Sequence, residues 1–274
     1  MINNYVIGIQ TFVKLDTLKK LVKSLLKCYG IDKYKIIFFI DSINNSLYTN
    51  KIDWIEKNNN VKKYLEEIAL AFNKYNIEIY SSSRNIGCYK ACVELIDICM
   101  NYSDYIIFLE DDVILGQDAL LYYEKVYEQY INNNIYPCLE AVCSSTWRQN
   151  STENRLTCLK QDNNLDKTLQ SLETFNWLHS YEFAITKNIW NKYREIRGSP
   201  RGDELLGYEF QKHNKHAILP VIGRSCRIGY NHRDGFSTYY GQISKISEDI
   251  SEIPESDYFL HSTSIYNLLN FSCL

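Results

Sequence analysis

Residues 105–113 read YIIFLEDDV. The apolar residues at its start do not alternate with polar ones, which indicates a strand buried on both faces, and Glu110, Asp111 and Asp112 follow at its C-terminal end. Adjacent carboxylates repel one another unless a cation neutralises them, so a divalent metal is their natural complement. Because ligands of open α/β sheets bind beyond the carboxyl ends of the strands, the segment predicts a site for a metal and a diphosphate. A solvated acidic turn is the alternative.

The composition is that of an ordinary globular protein with room for one large α/β domain. The chain has 274 residues, of which 45% are hydrophobic and 23% are charged, and its formal net charge is -3. This charge argues against nucleic acid as the partner, because binding of a phosphate backbone needs a basic face.

The expected compartment is the cytoplasm. The chain begins without a basic segment followed by an apolar stretch, and no apolar run approaches the ~20 residues of a membrane span. The 9 cysteines form no CxxC pair and no Cys/His spacing typical of a metal site. We therefore expect reduced thiols that pack as small apolar side chains rather than disulfides.

Strand and helix signals alternate through residue 145. The expected strands are 5–9, 35–40, 77–80, 105–109 and 139–143, and the expected helices are 16–29, 61–75, 88–100 and 117–132. Such alternation predicts right-handed crossovers and a mainly parallel sheet flanked by helices. Residues 1–145 are therefore expected to form an α/β half of the nucleotide-binding type.

The pattern becomes less regular beyond residue 145. The expected elements of this part are helices at 187–196 and 204–214 and a strand at 217–221. Residues 175–184 are rich in aromatic side chains, which suit either a sugar-binding groove or the core. A loop at 223–235 carries basic residues and glycines, which would let it close over a diphosphate and exclude water. Residues 241–274 form a tail without an assigned structure.

Two further polar segments follow predicted strands. Asp41 ends the second strand, either as a ligand-binding carboxylate or as a turn-forming residue. Residues 81–87, SSSRNIG, bring Arg84 and backbone N–H groups to the start of a helix, which suits a phosphate or a nucleobase edge, although a surface loop would look much the same. Because all of these residues follow strands, they are expected on the same rim as the acidic triplet. No glycine-rich dinucleotide motif and no P-loop motif occurs.

Separate stretches of the chain resemble, in the same order, parts of the A-type (GT-A) glycosyltransferases. They are RNIGCYKA at 84–91, the strand that ends in Glu110-Asp111-Asp112, and Gly202-Asp203-Glu204 followed by a helix and Ile218-Leu219-Pro220. The combination is most similar to the N-acetylglucosaminyltransferase I group and its bacterial relatives. The resemblance covers residues 5–240 and implies a Rossmann-like GT-A fold with a nucleotide-sugar-binding half at 1–145 and a less regular, acceptor-binding and catalytic half at 146–240.

The resemblance also implies roles for individual residues. Asp112 would coordinate a divalent metal, Mn²⁺ or Mg²⁺, bound to the donor diphosphate, while Glu110 and Asp111 would contact the ribose and the sugar. Asp41 would read the uracil ring. Asp203 would be the catalytic base, with its neighbour Glu204 as the rival. Further donor contacts are expected from Gln10, Thr11, Arg84, Gly87, Lys90, Arg224, His232 and Arg233.

This chain departs from the family pattern at two points. The animal enzyme has an aromatic residue immediately before the base, where this chain has Gly202. The relatives' first-strand arginine is replaced by residues 10–12, Gln-Thr-Phe. Both changes affect regions that would contact the donor sugar and the acceptor.

The function that the resemblance implies is metal-dependent, inverting transfer of a hexosyl or N-acetylhexosaminyl group. The donor would be a nucleotide-diphosphate sugar, with UDP as the expected nucleotide, and the acceptor a glycan or glycolipid of polysaccharide biosynthesis. A glycolipid acceptor would fit peripheral association with the inner face of the membrane. The alternatives are a sugar nucleotidyltransferase, which would want a glycine-rich loop where residues 10–14 read QTFVK, and a non-catalytic protein that binds nucleotides or carbohydrates.

Overall fold

A computed structural model describes residues 5–44, 52–132, 136–145, 172–220, 223–229 and 234. The predicted site residues His232 and Arg233 lie outside these residues, and so does the tail at 241–274. Within the described part of the chain, no helix has the length and apolar character needed to cross a membrane.

The strands form one large sheet and one small one. The large sheet contains β1 (Tyr5–Thr11), β2 (Tyr34–Ile40), β3 (Asn76–Ser81), β4 (Tyr105–Glu110), β6 (Leu139–Val142), β7 (Leu172–Phe175), β8 (Glu182–Thr186) and β9 (His216–Pro220). The small sheet pairs β5 (Val113–Leu115) with β10 (Ser225–Arg227) in antiparallel fashion. The described strands of the large sheet have the order β3-β2-β1-β4-β8-β6-β9-β7.

The sheet is parallel in the first half of the chain and mixed in the second. Strands β1 to β4 pair only in parallel within this group. Strand β8 runs antiparallel between β4 and β6, and β7 is antiparallel to β9. The predicted fold class, a mainly parallel sheet flanked by helices with a less regular second half, is confirmed.

Helices cover both faces of this sheet. They are α1 (Leu15–Leu25), α2 (Ile52–Ala71), α3 (Cys88–Cys99), α4 (Ala119–Val126), α5 (Lys187–Arg197) and α6 (Gly202–Lys212), with a short 3-10 turn at Ile31–Lys33 and a π-helical turn at Tyr127–Ile131. One hydrophobic core lies under α1, α2 and α4, and a second lies under α3, α5 and α6. The described cysteines are all free thiols.

Strand β4 lies between β1 and β8 and belongs to both cores. Ile107 and Leu109 face the core under α1, while Ile106 and Phe108 face the core under α3, and all four are buried. A strand that is buried on both faces has no position for a polar side chain, which is why its sequence does not alternate. The first residue that escapes this constraint is Glu110, where the strand ends at the rim.

Helix α2 begins earlier than the periodicity predicts. The expected helix at 61–75 is observed at Ile52–Ala71, because its first turns are fixed by tertiary contacts rather than by an apolar stripe. The buried Asn58 amide donates hydrogen bonds to the carbonyl groups of Phe12 (2.8 Å) and Asp41 (3.0 Å). Trp54 packs edge-on against the Phe12 ring. Because the buried position 58 is an asparagine rather than an apolar residue, a search for an apolar stripe does not detect the start of this helix.

Other differences concern short elements. The expected helix at 117–132 is α4 followed by the π-helical turn, in which the Tyr127 ring stacks on Tyr105 with the ring centroids 3.9 Å apart. Strands β5, β7 and β10 have three or four residues each, too few to show a period.

A buried carboxylate joins β6 to β8. Glu182 accepts hydrogen bonds from the backbone N–H groups of Ser144 (2.9 Å) and Ser145 (3.0 Å), from both serine hydroxyls, and from the Tyr123 hydroxyl. Burial alone would raise the pKa of Glu182, but contact with His179 and the hydrogen bonds from the serines outweigh it and hold the pKa below its usual range.

Substitution of Gly207 is expected to destabilise the packing of α6. A Cβ atom at this position would collide with the Trp177 ring. We expect Gly207→Ala to lower the free energy of unfolding by about 1–3 kcal/mol, because overpacking outweighs the gain in helix propensity. Urea unfolding followed by circular dichroism measures this difference. Leu205→Ala, on the exposed side of the same helix, is the control and should change stability by less than about 0.5 kcal/mol.

The Glu182 network predicts a pH-dependent loss of stability. Because the native pKa is lowered, its contribution is present above the unfolded-state pKa of about 4.3 and is lost as the pH falls through the native pKa. Glu182→Gln should cost about 3 kcal/mol at pH 7 and progressively less below pH 4. Urea unfolding from pH 7 to pH 3 measures both values, with the exposed Glu195→Gln as control. A cost that did not vary with pH would contradict the assigned ionisation.

Candidate active site

A cavity of about 440 Å³ opens where β1, β2 and β4 end. The segment that follows β1 forms one wall, and Trp54 from α2 and the turn before α3 extend it. The acidic triplet is part of the lining, and further lining residues come from the first turn of α3, from α5 and α6, from the segment around β10, and from Asp234. The cavity therefore lies beyond the carboxyl ends of parallel strands, the usual ligand position of this sheet type.

The cavity brings together most of the residues that the sequence singles out. Its lining includes Gln10, Thr11, Asp41, Gly87, Glu110, Asp111, Asp112 and Asp203. The side chains of Arg84, Lys90, Glu204 and Arg224 are not part of the lining. The cavity is also lined by residues for which the sequence predicts no role in the site: Lys14, Tyr89 and Arg197. Arg227 lines it as well, and the sequence indicates only the loop in which this residue lies.

Two cations neutralise the acidic triplet. Lys14 Nζ lies 2.8 Å from Asp111 Oδ1 and 2.7 Å from Asp112 Oδ2. Arg227 Nη2 lies 3.0 Å from Glu110 Oε2, and its Nε lies 3.4 Å from Asp112 Oδ1. Each carboxylate thus has a cation within ion-pair distance, and the local charge is reduced from three negative charges to one.

These contacts set the ionisation of the cluster. Burial would raise the pKa of Asp112, but Arg227 and Lys14 outweigh it and hold the pKa far below its usual range. Burial would lower the pKa of Lys14, but Asp111 and Asp112 more than compensate, and the pKa is raised. For Glu110, burial prevails over the attraction of Arg227, and the pKa is raised. Asp112 and Lys14 therefore remain charged at neutral pH.

Asp111 anchors the segment that follows β1. Its Oδ2 accepts a hydrogen bond from Thr11 Oγ1 at 2.8 Å and another from the Phe12 N–H at 3.4 Å. Together with the Lys14 ion pair, these contacts fold residues 11–14 over the end of β4. This carboxylate therefore shapes the cavity wall from within.

Asp41 lines the cavity, and its carboxylate is already fully hydrogen-bonded. Oδ1 accepts from the backbone N–H groups of Ser42 (2.8 Å) and Ile86 (3.0 Å), and Oδ2 accepts from Asn85 Nδ2 and the Gly87 N–H, both at 3.0 Å. A carboxylate has about four acceptor positions, so little capacity remains for a nucleobase. Asp41 holds the turn before α3 against β2.

The first turn of α6 separates the two candidate bases. Asp203 lines the cavity beside Tyr89, whose pKa is raised to about 12 by burial and by the neighbouring Asp203 carboxylate. Glu204 instead pairs with Arg201, with Nε and Oε2 2.5 Å apart. Gly202 is needed here because a Cβ atom would collide with the Arg197 carbonyl oxygen. The close approach of α5 therefore excludes an aromatic residue at this position.

Three basic residues that the sequence predicts as donor contacts do not line the cavity: Arg84, Lys90 and Arg224. Arg84 and Lys90 are exposed. Arg224 is buried, its Nε lies 3.4 Å from Asp118 Oδ2, and its guanidinium group lies 5.6 Å from the centre of the Tyr122 ring. It therefore fixes the approach of β10 to α4. No sequence signal separated Arg227 from Arg224, because the three residues of β10 are too few to show a period.

A second group of metal-ligand types lies deeper in the protein. Ligand atoms of Cys143, His179 and Glu182 lie within 4.8 Å of one another. However, both Glu182 oxygens already accept hydrogen bonds, and burial raises the pKa of the Cys143 thiol well above its usual range. A metal would have to displace these donors and a thiol proton. This group is therefore already occupied by hydrogen bonds and a protonated thiol.

No protein-family model and no curated protein sequence matches the chain. Among solved structures, it is similar to the mannosyltransferase PcManGT from Pyrobaculum calidifontis in complex with GDP-Man and Mn²⁺. That match has 9% sequence identity and a TM-score of 0.51, and it covers 86% of this chain and 59% of the other. The chain is also similar to GalNAc-T7 with UDP, GalNAc and Mn²⁺, at 12% identity and a TM-score of 0.51, covering 82% of this chain and 43% of the other.

These likenesses establish the fold. The chain has the GT-A fold of its glycosyltransferase neighbours, and it spans 59% and 43% of the lengths of the two proteins. The more specific resemblance to the N-acetylglucosaminyltransferase I group stays a prediction. At such low identity, the activity has to be argued from the residues of this chain.

Proposed function

We propose that this protein transfers a sugar from a nucleotide-diphosphate donor to a hydroxyl group, with inversion at the anomeric carbon. The observation that carries the proposal is one cavity, at the ligand-bearing edge of a GT-A sheet, that contains both a cation-paired acidic triplet and the separate carboxylate of Asp203. We infer a UDP-linked hexose or N-acetylhexosamine as the donor and a glycan or glycolipid as the acceptor.

Lys14 and Arg227 are suited to bind the donor diphosphate. Both line the cavity, and both carry a permanent positive charge at neutral pH. Arginine and lysine form short, charge-assisted hydrogen bonds with phosphate oxygens. An arriving diphosphate would therefore offer these cations an alternative to the carboxylates that they contact in the structure.

Asp112 fits a divalent metal in one specific respect. Its side chain is 0% exposed, and among the described residues its Oδ1 has no hydrogen-bond partner. A buried carboxylate oxygen in this condition is a suitable ligand for Mn²⁺ or Mg²⁺. A bound metal would stabilise the charge that develops on the leaving diphosphate. Two protein cations compete for the same carboxylate: Lys14 lies 2.7 Å from its Oδ2, and Arg227 lies 3.4 Å from its Oδ1.

Asp203 is placed to act on the acceptor. It is in the first turn of α6, lines the cavity, and lies beside Tyr89, which can hold its carboxylate in position. A carboxylate that removes the proton of the acceptor hydroxyl assists its direct attack on the anomeric carbon. Direct attack inverts the configuration at that carbon.

Substitution of Asp203 tests the proposed base. Asp203→Asn should lower kcat by about 10²- to 10⁴-fold, because the amide cannot accept the proton. UDP release from UDP-sugars in the presence of oligosaccharide acceptors measures the rate, and calorimetry should show unchanged UDP binding. Glu204→Gln is the matched control from outside the cavity. An unaffected rate in Asp203→Asn would refute the assigned base, and UDP binding without any turnover would favour a non-catalytic binding protein.

Substitution of Lys14 tests the metal and the diphosphate together. Lys14→Met should bind Mn²⁺ more tightly than the wild type, because one of the two competing cations is gone, but bind UDP roughly tenfold more weakly. Thermal shifts with Mn²⁺ alone, and with UDP at saturating Mn²⁺, report the two affinities; a ligand at 100 times its Kd stabilises by about 2.7 kcal/mol. The exposed Lys90→Met is the control. If both affinities fell together, Lys14 would have only a structural role.

A further inference from the structure

Arg197 is a buried guanidinium group at the wall of the cavity. It ends α5, is 3% exposed, and lines the same cavity as Asp203. Its Nη2 donates a long hydrogen bond of 3.4 Å to the Ser180 carbonyl group. Among the described residues, its Nε and Nη1 atoms have no hydrogen-bond partner. Within the described ranges, most of the hydrogen-bond donors of this cation therefore have no acceptor.

No described carboxylate lies within 4.0 Å of Arg197, so it lacks a direct counter-ion there. Glu110 and Asp203 act on it only from a longer range, and Glu110 already pairs with Arg227 at 3.0 Å. The Cys92 thiol is close, but burial raises its pKa to about 12, so it carries no charge at neutral pH. The Tyr89 ring centre lies 5.5 Å from the guanidinium carbon and supplies only a weak attraction.

A buried cation without a direct counter-ion costs stability, and an apolar side chain of similar volume is usually tolerated better. Nevertheless, the residue at this position is an arginine, and it lines the cavity that a substrate would contact. Uncompensated charge in a cavity is the state expected of a group whose counter-ion arrives with the ligand.

We propose that Arg197 binds an anionic group, a carboxylate or a phosphate, carried by the transferred sugar or by the acceptor. This inference rests on the proposed sugar-transfer function. Glu110 is within electrostatic reach of both Arg227 and Arg197, and Asp203 is within reach of Arg197. Because Arg197 and Asp203 line the same cavity, we assign the anion to the part of the wall that contains the base. This anionic group could be supplied by either substrate. It would be the carboxylate of a uronic acid in the donor, or the carboxylate or phosphate of an acidic or phosphorylated acceptor sugar.

Calorimetry on the full chain with Mn²⁺ distinguishes these sources. The donor arm compares UDP-glucuronate with UDP-glucose, and the acceptor arm compares glucuronate and glucose 6-phosphate with glucose in the presence of UDP. In one arm, the anionic probe should bind at least tenfold more tightly than the neutral one. Arg197→Met should abolish this preference, while Arg197→Lys should keep part of it. Arg194→Met, which removes an exposed arginine from the same helix, should leave it unchanged.

Stability and UDP binding separate a ligand role from a structural one. In Arg197→Met, the affinity for UDP should stay within twofold, and Tm should stay the same or rise, because an uncompensated buried charge has been removed. A fall in both Tm and UDP affinity would identify Arg197 as structural and overturn the proposal. If the wild type bound UDP but showed no preference in either arm, this inference alone would fail. If it bound no UDP, the proposed function would fail with it.

Discussion

The arrangement of the cavity depends on the neutralisation of three carboxylates at the end of one buried strand. Without Lys14 and Arg227, the charges of Glu110, Asp111 and Asp112 would repel one another at the edge of the core. The two cations come from the segment after β1 and from β10, so the same ion pairs that relieve the repulsion also draw these segments over the strand end. The chain folds tightly enough there that Gly229 leaves no room for a Cβ atom beside Asp112.

Buried charged groups have different degrees of hydrogen bonding and ion pairing in three places of the molecule. Glu182 is saturated by hydrogen-bond donors and joins two strands, which is the condition of a structural carboxylate. The acidic triplet is paired with two cations, Lys14 and Arg227, which we propose that a metal and a diphosphate displace. Arg197 has neither hydrogen-bond saturation nor a direct counter-ion among the described residues. The degree of compensation decreases from the structural network to the wall of the cavity that contains Asp203, where we propose that a substrate supplies the missing partner.

The GT-A fold and the proposed activity rest on different observations. The fold follows from the sheet order and from likeness to glycosyltransferases at 9% and 12% identity. Many functions can share one fold, so the activity depends on which side chains this chain places in the cavity. Asp203 is in the cavity while its neighbour Glu204 is paired outside it, and one helical position makes that difference.

The sequence by itself determined the parallel α/β architecture and the position of the acidic triplet. A short, unbroken apolar run favours a strand covered on both faces, and the carboxylates that follow it are then expected at the rim of the sheet. It could not show that Lys14 and Arg227 pair with Asp112, because they are 98 and 115 positions away in the chain and periodicity records only local neighbours. For the same reason the sequence pointed to Arg84, in a recognisable loop, rather than to Arg197 at the end of an ordinary helix. Only the tertiary structure decides which charges are buried together, because burial and pairing arise from contacts between distant segments.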